Sequence, residues 1–147
     1  MIQENKKARF DYNIILEISC GIKLMGTEVK PLRKGDSSIN QAYCYIKDNE
    51  LYIKNMHIGE HKCAKNFNHD PIRDRKLLLK RKEINDIIEL LKTDKTLTII
   101  PLKLFLNNNL FKITIGVCKG KKNYDRRDSI KKKDIQRDTN RELMKYK

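Results

Sequence analysis

Apolar and polar residues alternate with a period of two through much of this 147-residue chain, and with a helical period in one place. Ala42, Cys44 and Ile46 alternate with Tyr43, Tyr45 and Lys47, the pattern of an antiparallel strand buried on one face. The alternation continues to Ile58, so QAYCYIKDNELYIKNMHI predicts two strands around an Asp48-Asn49 turn. Upstream, the β-rich run from Asp11 to Leu24 predicts another strand, with Gly21 marking a bulge or bend. Gly26–Gly35 reads as a short helix bounded by glycines, and Pro31 falls near its first turn, where a missing donor costs least. Leu97–Leu106 and Leu110–Val117 predict a closing hairpin around Asn107-Asn108-Asn109. The helical period belongs to Arg75–Lys92, in which Leu77, Leu78, Ile84, Ile87, Ile88 and Leu91 fall mainly on one face.

Five or six short strands with helices inserted predict a fold that is mainly β with α. Its expected form is a small closed antiparallel barrel resembling an oligonucleotide-binding fold, with two or three flanking helices and a basic C-terminal tail. A two-layer α+β domain is the alternative. Three regions follow. Residues 1–10 are a basic N-terminal extension, expected to be mobile or loosely docked. Residues 11–118 form a β-barrel domain, and residues 119–147 a basic tail.

Charge sharpens this division. Lys119–Lys147 holds 12 Lys or Arg against 5 Asp or Glu, a surplus of 7 in a chain whose net charge is +14. With scarcely an apolar face, the segment cannot offset an ordering entropy of ~1–2 kcal/mol per backbone residue, so disorder is expected until a polyanion binds. Lys133, Arg137, Arg141 and Lys145 recur every four residues and would form one basic stripe on a helix. Asp134–Arg137, Asp138–Arg141 and Glu142–Lys145 add pairs worth ~0.2–0.5 kcal/mol each. An ordinary solvated helix is the bland alternative; the unbalanced charge favours a nucleic-acid-binding tail.

The pI of 9.7 argues for RNA or DNA as partner rather than a membrane. No stretch approaches the ~20 apolar residues of a membrane span, and MIQENKKARF lacks a signal peptide's apolar run, so a cytoplasmic protein is expected. Cys20, Cys44, Cys63 and Cys118 include no CxxC and read as free thiols. His57, His61, Cys63 and His69 have ligand chemistry, but their spacing matches no common zinc module. A zinc-dependent RNA-processing enzyme using that cluster is therefore a remote alternative. Phosphate-loop, GxSxG, HExxH and GxGxxG motifs are missing, and the acids are dispersed among bases, so neither an enzyme nor a cofactor is expected.

Several strings, in order, resemble one family. They are Lys7-Ala8-Arg9-Phe10-Asp11-Tyr12, then Gly26-Thr27-Glu28-Val29-Lys30 with Leu32-Arg33, then Asn55-Met56-His57-Ile58. Asp70-Pro71-Ile72-Arg73 follows, running into Arg75-Lys76-Leu77-Leu78-Leu79, and then Pro101-Leu102-Lys103-Leu104. Gly116-Val117 leads into Lys119-Gly120-Lys121-Lys122, with Tyr124-Asp125-Arg126-Arg127 and Ile130-Lys131 beyond. The series is similar to the small protein B family, which binds transfer-messenger RNA in bacteria, and it spans nearly the whole chain.

The resemblance implies an RNA-binding accessory factor of ribosome rescue. The barrel would hold the tRNA-like part of transfer-messenger RNA at its elbow and D-loop. Elongation factor Tu would be a partner through the delivered complex. The tail would probe the small-subunit decoding centre and, as a helix, the empty mRNA channel of a stalled ribosome. On the barrel the resemblance maps RNA contact to Gly26, Thr27, Lys30, Arg33, Arg75, Lys76, Leu78 and Lys80, with Lys7 and Arg9 fitting a basic N-terminal patch. In the tail it points to Lys119, Gly120, Lys121, Lys122, Tyr124, Asp125, Arg126, Arg127 and Lys131. The basic stripe adds Lys133, Arg137 and Arg141. Tyr124 is expected to stack on a base, and Glu28 to do no more than cap a helix. The chain departs from the family pattern at Ser19-Cys20, Pro31 and Lys80. A structural ribosomal protein with a basic extension is the alternative from another class. Nothing in the sequence requires a dimer, and a monomer is expected.

Overall fold

The period-two runs become antiparallel strands whose turns are written into the sequence. In this computed structural model, which describes residues 2–146, the chain begins with β1 (Gln3–Glu4), α1 (Lys6–Asp11), β2 (Tyr12–Ile22) and α2 (Gly26–Arg33). It continues through β3 (Ser37–Ser38), β4 (Tyr43–Lys47), β5 (Glu50–Lys54), β6 (His57–Ile58) and β7 (Arg75–Leu78). The remainder is α3 (Arg81–Thr93), β8 (Leu97–Asn107), β9 (Leu110–Gly120) and α4 (Asn123–Lys145). The β4–β5 hairpin turns at Asp48 and Asn49, with φ of 52° and 56°, and the β8–β9 hairpin at Asn108 and Asn109, with φ of 49° and 62°. Asn and Asp tolerate this left-handed backbone, and its twist suits paired strands.

Neighbouring strands pair in the order β8–β4–β5–β7–β2–β9, and β9 pairs again with β8. Every pairing is antiparallel, so six strands form a closed circuit; β1 adds to β8, and β3 pairs separately with β6. β9 is laddered along most of its length to β2 and to β8, whereas β4 meets β8 at a single pair, Cys44–Ile99. Ile53, Leu77, Ile99, Leu104, Ile113, Ile115 and Val117 make the core, together with Leu32 of α2 and Ile87 of α3. Burying each such side chain stabilises the fold by ~1.5–3 kcal/mol. A smaller cluster of Ala8, Ile100, Leu102 and Cys118 sits under α1.

The structure corrects four expectations. Arg75–Leu78 is a strand, and the predicted helix begins only at Arg81. Arg75 and Leu77 point inward, fully buried, while Lys76 and Leu78 point outward, so a period of two prevails where charge and leucine content suggested 3.6. Residues 2–10 are docked rather than loose. Asn5 is buried; its side chain accepts from the Ala8 amide at 3.0 Å and donates to Pro101 O at 3.3 Å. The bulge of β2 lies between Ile14 and Leu16, not at Gly21. Gly21 instead faces β7, where an added Cβ would come within 3.4 Å of the Leu78 Cβ. Pro31 lies in the second turn of α2, buried against the core, rather than in the first. The basic tail is drawn as a helix over Asn123–Lys145, the form expected of it on a polyanion.

Candidate nucleic-acid interface

A buried charge cluster sets the geometry of the face formed by α2 and β7. Glu28 opens α2 by accepting from the Met25 amide at 2.7 Å, which occupies a donor left free at the helix start. Its two oxygens also accept from Arg73 Nε and Nη2, both at 2.8 Å, and from Arg75 Nε at 2.8 Å. Arg75 donates further to Met56 O at 2.6 Å and Pro71 O at 3.3 Å. Glu28 and Arg75 are both 0% exposed. Burial alone would raise the Glu28 pKa, but Arg73, the Met25 amide and Arg75 outweigh it and hold the carboxyl below 4.5. Burial lowers the Arg75 pKa, and Glu28 opposes that shift. Arg75 therefore cannot touch RNA directly, contrary to its assignment by resemblance: its guanidinium is fully engaged inside the protein. Glu28 does more than cap. It ties α2 to the Pro71–Arg75 segment.

Above this cluster the other residues assigned to the face are brought together. Gly26, Lys30 and Arg33 are exposed on α2; Leu78 is 52% exposed on β7, with Lys76 half-buried beside it and Lys80 exposed after the strand. Thr27 is occupied: its Oγ1 lies 2.9 Å from His69 Nδ1, while His69 Nε2 lies 3.1 Å from Ile58 O. That carbonyl only accepts, so Nε2 carries a proton. His69 is thus committed to holding the loop, and among the described residues no group of three or more His, Cys, Asp or Glu comes together as a metal site. Leu78 and Arg33 border an apolar cleft of about 300 Å³, with Leu24, Val29, Leu110 and Phe111. At the departure Ser19, the hydroxyl pairs with Thr114 Oγ1 at 2.9 Å.

Lys7 and Arg9 are not on this face. They lie on α1, which packs against β8 and the start of β2; Arg9 is engaged with Glu17 at 3.0 Å and Glu4 at 3.6 Å. The tail forms a separate surface. Its root is fixed by the Lys121 amide donating to Asp11 O at 2.9 Å and by Lys119 Nζ, 3.3 Å from Asp94 Oδ2. Beyond it α4 runs 23 residues, ~35 Å, with no buried side chain. Tyr124 is 60% exposed, and Arg127, Lys131, Lys133, Arg137 and Arg141 are exposed along the helix. Gly120 closes β9, Lys122 is exposed, and Asp125 and Arg126 are half-buried near α1. No helix among the described residues is long and apolar enough to cross a membrane.

A family model described as "SmpB protein" matches residues 2–145. The chain belongs to the SmpB family. An SmpB relative from Treponema denticola, named SsrA-binding protein, is 47% identical over 143 residues, 97% of this chain and 92% of the relative. SsrA-binding proteins of Borreliella afzelii and Staphylococcus aureus are 44% and 43% identical, over 100% and 97% of this chain and 97% and 92% of the relatives. A solved SmpB chain, from "tmRNA-SmpB: a journey to the center of the bacterial ribosome", matches with a TM-score of 0.67 and 34% identity, covering 87% of this chain and 93% of that one. Sequence reasoning missed Arg73, the third member of the buried cluster. The available signal was Arg73 and Arg75 two residues apart, which on an extended chain point the same way.

Proposed function

We propose that this chain is the protein partner of transfer-messenger RNA in trans-translation, acting as an RNA-binding factor and not as an enzyme. The closed circuit of six strands supports reading its body as an oligonucleotide-binding-type barrel. The α2–β7 face holds the tRNA-like part of the RNA. Lys30, Arg33, Lys76 and Lys80 supply phosphate contacts there, and Leu78 packs on a base or ribose. Family membership and relatives named SsrA-binding proteins support this assignment. The chain acts as a monomer and meets elongation factor Tu only through the delivered complex.

One observation carries the role of the tail: a 23-residue basic helix without a buried side chain leaves the body as a separate surface. Such a helix suits an RNA-walled channel, where backbone charge gives affinity without sequence demand. Tyr124, at its first turn and exposed, stacks on a base at the decoding centre. Removing residues 119–147 is the test. Binding of transfer-messenger RNA by the body should persist while tagging on stalled ribosomes is lost. Tagging at full rate by the truncated chain would refute the tail's role.

A further inference from the structure

On the opposite side of the strand circuit lies a polar cleft that the α2–β7 face and the tail do not use. It measures about 310 Å³ and is walled by α1 and the β4–β8 seam. That seam is three places round the circuit from the β7–β2 seam, so the two clefts face opposite ways. The size falls at the lower end of the ~300–1,000 Å³ range of ligand sites, room for one nucleotide and not for a duplex.

Its rim is preorganised. Asn40 and Gln41 are the central residues of a β-turn closed by the Ala42 amide donating to Ile39 O at 3.1 Å. Ile39 and Ala42 are buried, at 0% and 5% exposure, which pins the turn and presents the two exposed carboxamides over the cleft. Each carboxamide carries a donor and an acceptor, the complement of a base edge. Tyr43, 40% exposed, and Tyr12 supply rings on which a base can stack. Lys7 stands exposed at the mouth for a phosphate, and Asp11, the one acid of the lining, keeps that phosphate on the Lys7 side. The same Asp11 receives the Lys121 amide, so the cleft wall is joined to the root of the tail.

We propose that this cleft takes one unstacked nucleotide of the RNA that lies along the tail, not of the RNA held at the α2–β7 face. The inference rests on the tail reading above, and its test separates the two. In the intact chain, titration with adenosine and uridine 5′-monophosphates, followed by NMR, should shift the side-chain amides of Asn40 and Gln41 and the amide of Thr98. Arg33 and Leu78 should stay in place. No shift, or shifts confined to the α2–β7 face, would overturn the site. In a second arm, the exposed pair Asn40→Ala/Gln41→Ala should leave affinity for transfer-messenger RNA within about twofold. Occupancy of stalled ribosomes should fall about tenfold. Unchanged ribosome occupancy, or an equal loss on isolated transfer-messenger RNA, would overturn the assignment to RNA along the tail. If the unaltered chain binds no transfer-messenger RNA, the function proposed above falls, while the nucleotide titration still decides the cleft.

Discussion

At the scale of single residues, Glu28 has the most consequence for its size. Removing its charge leaves Arg75 buried without its acid, at a cost of about 3–5 kcal/mol. Glu28→Gln should therefore lower the urea midpoint sharply at neutral pH, read by circular dichroism. The pH dependence follows from the same contacts. A carboxyl held below 4.5 in the fold stabilises it above the unfolded value and loses that contribution as pH falls through the lowered one. The unaltered chain should lose stability below pH ~4.3, and Glu28→Gln should flatten that part of the profile. Thiol chemistry gives a second check. Burial pushes Cys20 up to about 12, Cys118 to about 11 and Cys44 well above 9.0, whereas Cys63 is exposed. A disulfide reagent at pH 8 should titrate one thiol in the native chain and all four after denaturation. These contacts were only half legible in sequence. Arg75 sits in a basic string that reads as surface, and only the fold shows that its acid partner comes from 47 residues away.

At the scale of elements, hairpins were legible because their cause is local: paired Asn or Asp residues between alternating runs leave one low-strain turn. The Arg75–Leu78 strand was not, because leucines at 77, 78 and 79 satisfy either period and the choice falls to β2 and β5 on its flanks. The N-terminal extension read as mobile or loosely docked for a similar reason: β1 needs Lys103 and Leu104, far along the chain, to become a strand. For α4 the charge and the basic stripe were legible, and the exposed helix carries both. Arg137 and Arg141 project from it, the latter only 3.9 Å from Asp138. If the tail neutralises about five phosphates, log K against log salt should have a slope near −4. Replacing Arg137 and Arg141 with Ala should flatten it by about two units. An unchanged slope in filter binding to structured RNA would mean that neither residue meets a phosphate.

At the scale of the molecule, the proposed RNA surfaces are divided among opposite sides of one strand circuit and a projecting helix, held together largely by β2, β8 and β9. A permanent ribosomal component would survive washing at about 1 M salt, where the Debye length is ~3 Å; a factor docked by exposed Lys and Arg should be released. Quantitative blotting of washed ribosomes distinguishes the two. The circuit also governs how the chain behaves among its own copies before any RNA arrives. An open sheet offers its last strand as a template for a neighbour's backbone, the usual start of edge-to-edge aggregation. Here the last strand of the ladder finds the first, so the backbone left without a laddered neighbour among the described residues lies in the two-residue strands, β1 and the β3–β6 pair, and along the sparse seams where β4 meets β8 at one pair and β2 meets β7 at two. With a net charge of +14 to repel its copies as well, the protein can accumulate unbound at high concentration without its strands recruiting one another.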